Sequence, residues 1–116
     1  VQLGLVPEAG STLLLPQRIG HARAFEWLAS GRTVTAETAL AWGLVNTVAA
    51  ADGLDAAAHS AARGLAALSP VALRHTKALM RDPEALWRVV EAEGRIFRDL
   101  MTGPDAQAAF MAFLSR

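Results

Sequence analysis

Apolar residues in the second half of the chain recur at the spacing of an α-helix. In the segment that begins at Asp52, successive apolar residues lie four, three, four and three positions apart, which keeps them on one helix face. These residues are Leu54, Ala58, Ala61, Leu65 and Leu68. Ser69-Pro70 and Asp82-Pro83 each combine an N-cap residue with a proline at the first helical position. The pattern therefore predicts helices from Asp52, from Pro70 to about Arg81, from Pro83 onward and over 105–115.

The first half of the chain predicts shorter helices with defined ends. Residues 1–10 contain Gly, Pro and Val and are typical of a loop or a short extended piece. The predicted elements are a helical turn over 10–15 that stops at Pro16, a helix over 20–29 that ends at Ser30-Gly31, a helix over 36–42 with Thr35 as N-cap, and a strand or extended connector over 44–48. We expect at least half of the residues to be helical.

The composition excludes several classes of protein. Lys plus Arg and Asp plus Glu number 11 each, so the chain lacks the basic excess of a nucleic-acid or anionic-lipid binder. There is no Cys, and the three His residues lie far apart, so we expect no metal site. No apolar run approaches the ~20 residues of a membrane span. These features indicate a helical chain without nucleic-acid or membrane partners.

Glu8 is the sharpest candidate for chemistry, in the segment Pro7-Glu8-Ala9-Gly10. Gly10 and Ser11 open a helix, and free amides and the dipole at a helix N-terminus stabilise a carboxylate. Glu8 is therefore a helix cap in one interpretation. In the other, its apolar neighbours favour a carboxyl that exchanges protons near neutral pH, and Glu8 is a proton shuttle.

Glu93 is a second carboxylate in an unusual position, on the apolar stripe of the helix after Pro83. It follows Leu86 by seven residues, which is two helical turns. We expect a partly exposed boundary position, and the alternative is a carboxylate buried at an interface. Further along the chain, the apolar stripes of the last two helices are wider than one small helical layer can bury; they hold Leu86, Val89, Val90, Phe97, Leu100 and Phe110.

Four motifs follow one another without gaps between residues 3 and 48. They are Gly4-Leu5-Val6-Pro7 followed by Gly10-Ser11-Thr12, the run Leu15–Gly20, the run Ala24–Gly31 with Glu26 inside it, and the run Ala36–Asn46 that ends in Gly43-Leu44-Val45-Asn46. Together they resemble the enoyl-CoA hydratase/isomerase (crotonase) superfamily. Ser69-Pro70 with Ala72 and Lys77, and Ala112-Phe113-Leu114 near the end, extend the resemblance over essentially the whole chain.

The resemblance covers only the C-terminal half of a family member. It implies an α/β crotonase fold, a ClpP-like spiral of ββα turns, in the complete protein, and a mainly helical part here. Residues 1–50 are expected to form the end of the crotonase core with the active-site turn, and 51–116 a helical C-terminal oligomerisation region. The other half of such a protein supplies the oxyanion hole, so this chain alone is expected to be inactive. The sequence begins within an apolar stretch and without Met, so we expect that its first residue is not a natural N-terminus.

The resemblance also implies roles for single residues. Pro-Glu at positions 7 and 8 resembles Δ3,Δ2-enoyl-CoA isomerases, in which that Glu moves a proton between C2 and C4 of the acyl chain. Phe113 and Arg116 correspond to an aromatic and a basic residue near the coenzyme A nucleotide; alternatively, Phe113 is a core residue and Arg116 a frayed end. The implied partners are an acyl-CoA substrate and further copies of the chain in a trimer or hexamer, with no cofactor and a cytoplasmic location.

Two other interpretations stay open at the level of the sequence. One is a crotonase-family protein with another acyl-CoA reaction, such as hydration, which needs two glutamates to activate and deliver water. The other is a non-catalytic helical module that acts only through oligomerisation. Turnover of a thioester by the full-length protein distinguishes the enzyme from the module.

Overall fold

The structure, a computed structural model, describes residues 1–115, and it is helical. Its helices are α1 (Ser11–Ile19), α2 (His21–Ser30), α3 (Ala36–Ala41), α4 (Leu54–Ala66), α5 (Pro70–Leu79), α6 (Pro83–Met101) and α7 (Pro104–Leu114), with a 3-10 turn over Ala51–Gly53 before α4. No strand occurs within residues 1–115, and 44–48 is an irregular connector with bends at Leu44 and Asn46. The prediction of a mainly helical chain is therefore confirmed.

The predicted N-caps begin the helices as the sequence indicated. The hydroxyl of Thr35 accepts a hydrogen bond from the Thr38 amide at 3.2 Å, and that of Ser69 accepts one from Ala72 at 3.3 Å. The Asp82 carboxylate accepts from the Ala85 amide at 2.8 Å. Each cap satisfies an amide that has no partner inside its helix, and this fixes the starts of α3, α5 and α6.

One predicted boundary is wrong: α1 does not stop at Pro16 but continues to Ile19. A proline lacks only its own N–H, so it removes one hydrogen bond from the helix but leaves its carbonyl as an acceptor. The Pro16 carbonyl accepts from the Gly20 amide at 3.0 Å, which closes the last turn of α1.

The N-terminal segment connects elements that lie far apart in the sequence. Helix α1 packs against α2 and α6, and α6 packs against α7. The Gln2 side-chain amide donates to the Ser30 carbonyl at 2.7 Å, which ties the segment to the end of α2. Gly4 lies on the first turn of α7, where a Cβ at Gly4 would stand 2.7 Å from the Ala106 amide nitrogen. These contacts cross the expected division at residue 50.

The interior is small and the chain is extended. The buried apolar residues within 1–115 are Ile19, Ala24, Ala39 and Ala106, and no large side chain there is fully buried. The radius of gyration is 18.2 Å, whereas a compact chain of this length has about 13 Å. Every residue of α4 is exposed, and Leu73 is the one half-buried residue of α5.

This openness agrees with the expectation that the apolar stripes exceed what the chain itself can cover. Leu79 at the end of α5 and Leu114 on α7 are 88% and 78% exposed, and Trp87 on α6 is 62% exposed. Large exposed apolar surfaces are typical of sites that contact other protein, a membrane or a ligand. Within residues 1–115, no helix has the combination of length and apolar character that crossing a membrane requires.

Candidate active site

The turn that leads into α1 has an unusual backbone. Ala9 and Gly10 are both in the left-handed region, with φ of 62° and 77°. Glycine adopts this conformation without steric cost, whereas an L-residue such as Ala9 loses about 1–2 kcal/mol. The amide and hydroxyl of Ser11 both donate to the Glu8 carbonyl, at 3.2 and 2.7 Å. The backbone of Glu8 is thereby fixed against the start of α1.

The carboxylate of Glu8 does not cap this helix. The N-cap position is Gly10, which has no side chain to offer. The Glu8 side chain is exposed, and within residues 1–115 its carboxylate makes no hydrogen bond or ion pair. The capping interpretation of Glu8 is therefore wrong, and the carboxylate is available to another molecule.

The carboxylate that caps α1 belongs to Glu93 on α6. One oxygen of Glu93, Oε2, accepts from the Gly10 amide at 2.7 Å. The other, Oε1, accepts from the amide of Thr12 at 2.9 Å and from its hydroxyl at 2.5 Å. The free amides and the dipole of α1 thus replace the water that a buried carboxylate loses.

The expectation of a partly exposed position for Glu93 is wrong, since its side chain is only 5% exposed. The apolar stripe of α6 packs over the start of α1, and this covers Glu93 as well as its apolar neighbours. The donors lie 81 and 83 residues away in the sequence. No local pattern connects them to Glu93, so the sequence carried only the signal of a carboxylate on an apolar stripe.

Helix α6 also closes one side of the turn by packing. A Cβ built at Gly10 would lie 2.5 Å from Cδ1 of Leu86 and 3.5 Å from Cγ2 of Val90. Gly10 is itself buried. Position 10 therefore combines a left-handed backbone, an amide that Glu93 holds and a close approach of two apolar side chains. Glycine is the residue that meets all three requirements.

A cleft of about 410 Å³ opens beside the segment that precedes the turn. Most of its lining is apolar, with Leu3, Leu5, Val6, Pro7, Trp27 and Phe97 among the lining residues. The cleft reaches Pro7 but does not include Glu8, so the carboxylate lies outside it. No cluster of His, Asp or Glu able to hold a metal ion occurs in the part of the chain that the structure describes.

The other two predicted site residues are not brought to this turn. Phe113 is 67% exposed on α7, so the core interpretation of this residue is wrong within this chain. Helix α7 contacts Gly4 at Ala106. Phe113 follows Ala106 by seven residues, so it lies roughly 10 Å further along the axis of α7. Arg116 lies outside the described residues.

The comparisons with known proteins agree on one family. The family model described as Enoyl-CoA hydratase/isomerase matches residues 1–116. A carnitinyl-CoA dehydratase from Proteus mirabilis is 39% identical over 80 residues, which cover 69% of this chain and 31% of that protein. A fatty acid oxidation complex subunit alpha from Pseudomonas savastanoi pv. phaseolicola is 50% identical over 58 residues, which cover 50% of this chain and 8% of that protein.

Two solved structures share the arrangement of the helices. An enoyl-CoA hydratase/isomerase from Pseudoalteromonas atlantica superposes with a TM-score of 0.94 at 34% identity, over 98% of this chain and 47% of that one. OdaA from Pseudomonas aeruginosa superposes with a TM-score of 0.86 at 43% identity, over 99% of this chain and 48% of that one. The chain thus spans about half of these structures and has the fold of the corresponding half. It belongs to the enoyl-CoA hydratase/isomerase (crotonase) family.

Proposed function

We propose that the complete protein containing this chain is an enoyl-CoA isomerase in which Glu8 moves the proton. The observation that carries the proposal is the state of the Glu8 carboxylate. It is exposed and without a hydrogen-bond partner in residues 1–115, yet its backbone is fixed by Ser11 at the start of α1. A general base needs this combination of a free carboxylate and a defined position.

The reaction that suits one carboxylate is a shift of a double bond. Glu8 removes a proton from C2 of a 3-enoyl-CoA, and the electron pair of that C–H bond delocalises over C2 to C4 and the thioester oxygen. Protonated Glu8 then returns the proton to C4, so that the double bond lies between C2 and C3. Donors of an oxyanion hole stabilise the dienolate between the two steps. In family members these donors come from the half that this chain does not span.

Hydration is the alternative reaction, and it makes a different demand on the site. Adding water across a double bond needs one group to activate the water and another to deliver a proton. Glu93 is close to the turn, but both of its oxygens already accept hydrogen bonds from Gly10 and Thr12. Within residues 1–115 Glu8 therefore has no second free carboxylate beside it, whereas a shift of the double bond needs only the one that Glu8 supplies.

The test is the substitution Glu8→Gln in the full-length protein. Glutamine keeps the shape of the side chain but cannot take up the proton. We expect turnover of a 3-enoyl-CoA to fall by about 10²–10⁴-fold, the contribution of a general acid–base, or about 2.7–5.5 kcal/mol in the barrier. Glu91→Gln is the matched control, since Glu91 is exposed on α6 and its side chain forms no hydrogen bond or ion pair within residues 1–115.

Two results would contradict the proposal in different ways. A Glu8→Gln variant with the turnover of Glu91→Gln would show that Glu8 takes no part in the reaction. A wild-type protein that hydrates 2-enoyl-CoA but does not isomerise 3-enoyl-CoA would show that the reaction is hydration within the same family.

Phe113 and Arg116 complete the proposal as contacts to the coenzyme A nucleotide. Phe113 is exposed on α7 and so is free to stack on another group, and an arginine suits a phosphate. We also propose that the protein works in the cytoplasm and forms a trimer or hexamer. The exposed apolar faces of α4 to α7 support the association, because contacts with other copies would cover part of them.

A second candidate function, a non-catalytic helical module, rests on the same exposed faces. It predicts that the full-length protein associates but turns over neither 2-enoyl-CoA nor 3-enoyl-CoA. Sedimentation of the isolated chain tests the shared premise. A stable, compact monomer would contradict it, since its radius of gyration would have to fall well below the 18.2 Å of the structure.

A further inference from the structure

We infer that Glu93 is a positioning residue for the proposed proton shuttle: it holds the turn that carries Glu8. The inference rests on the proposed function of Glu8. Glu93 is 5% exposed. It forms no ion pair within residues 1–115, since the one ion pair there joins Arg32 to Glu26. Its hydrogen-bond partners are all donors at the start of α1, so the buried carboxylate joins α6 to the start of α1.

The hydrogen bonds of Glu93 fix the turn at two points. Oε2 binds the Gly10 amide at 2.7 Å, and Oε1 binds the Thr12 amide at 2.9 Å and the Thr12 hydroxyl at 2.5 Å. One oxygen thus aligns the residue just before α1 and the other aligns its first turn. A carboxylate can do this because both oxygens accept hydrogen bonds.

The segment between this anchor and Glu8 is short and conformationally constrained. Only Ala9 separates Glu8 from Gly10, and Ala9 is held at φ 62°. A non-glycine residue keeps this conformation only where its surroundings determine it. On one side the Glu8 carbonyl accepts from Ser11, and on the other Glu93 holds Gly10. Loss of the Glu93 anchor is therefore expected to let Ala9 relax and move the Glu8 carboxylate.

The deciding variant is Glu93→Gln in the full-length protein. The amide keeps one accepting oxygen, but its NH₂ group faces an N–H donor of α1 that needs an acceptor. We expect kcat for 3-enoyl-CoA to fall by about 10- to 100-fold, since a misplacement of 1 Å costs about that much. KM should change less than 2-fold, because no contact to substrate is removed. Glu91→Gln, two residues away on the exposed side of α6, should match the wild type.

A double substitution separates positioning from simple stability. If Glu93 acts through Glu8, then adding Glu93→Gln to Glu8→Gln lowers kcat no further, because the group being positioned is already gone. A merely structural role lowers kcat by the same factor in both backgrounds. Multiplicative losses would thus overturn the inference.

A milder variant decides the question if Glu93→Gln does not fold. Thr12→Val keeps the shape of the side chain and removes only the hydroxyl that donates to Oε1. We expect it to lower kcat by a few-fold, and again not in the Glu8→Gln background. In NMR spectra, the amide signals of Ala9 and Gly10 should move in Thr12→Val and not in Glu91→Gln.

The outcomes distinguish this inference from the proposed function. If Glu8→Gln is as active as the wild type, the proposed function fails. If Glu8→Gln is inactive but both Glu93→Gln and Thr12→Val retain the wild-type kcat, the proposed function stands and the positioning role of Glu93 is refuted.

Discussion

Replacing Gly4 by Ala tests how the N-terminal segment docks on α7. Gly4 has φ of 69°, and a Cβ at this position would lie 2.7 Å from the Ala106 nitrogen and 2.8 Å from the Asp105 carbonyl carbon. Both are backbone atoms at the start of a helix, so neither can rotate away as a side chain can. The segment has to move off α7 or α7 has to shift.

The expected cost has two parts that a control separates. The left-handed backbone costs an alanine about 1–2 kcal/mol, and overpacking adds about 1–3 kcal/mol. Gly43→Ala is the control, because Gly43 has φ of 73° and nothing within 4 Å of its Cβ position. Gly4→Ala is therefore expected to lower the free energy of unfolding by roughly 2–5 kcal/mol, against about 1–2 for Gly43→Ala.

Equilibrium unfolding in urea measures this difference. The full-length variants are compared at one protein concentration, with the fluorescence of the tryptophans as the signal. The comparison uses the free energy at zero denaturant and requires equal slopes, so that a change in the unfolded state is not mistaken for a clash. Equal destabilisation by Gly4→Ala and Gly43→Ala would refute the close approach of Gly4 to α7.

Two further predictions concern single residues near helix starts. Ala9→Gly should raise the free energy of unfolding by about 0.5–1 kcal/mol, because relief of the left-handed strain exceeds the entropy cost of glycine; an unchanged urea midpoint would show that Ala9 at φ 62° is unstrained. The pKa of Glu37 is lowered from 4.5, first by its own backbone amide and then by the nearby Thr35 side chain. The charged form therefore stabilises α3 above the unfolded pKa, and this contribution is lost as pH falls through the folded value; an NMR titration of Glu37 should give a midpoint below 4.5 that Thr35→Val raises only in part.

The helix starts were predictable from the sequence because their signals are local. Thr35, Ser69 and Asp82 each bind an amide three residues ahead, so the donor and the acceptor are read in one short window. The same kind of local rule failed at Pro16. There the lost N–H removes a single hydrogen bond, and the packing of α1 against α2 and α6 carries the helix onward.

The capping of α1 was not predictable, although Glu8 and Glu93 were both singled out as carboxylates in unusual positions. Glu8 is adjacent to the helix start, and proximity in the sequence made it the obvious cap. The structure gives that role to Glu93, which is brought there by the packing of α6. The family resemblance supplied the fold class, because the ββα turns of the crotonase spiral lie outside what periodicity within this chain can predict.

The hydrogen bond between Gly10 and Glu93 sets an order of events during synthesis. Its two ends are 83 residues apart, and a ribosome adds about 5–20 residues per second. The turn that carries Glu8 is therefore made about 4–17 s before the residue that fixes it exists. Until α6 is complete and docked, Gly10 and Thr12 point their amides at water, and Ala9 has little to hold it in its left-handed conformation. The proposed site is thus assembled late, and a nascent chain that stops short of α6 carries Glu8 on an unsupported loop.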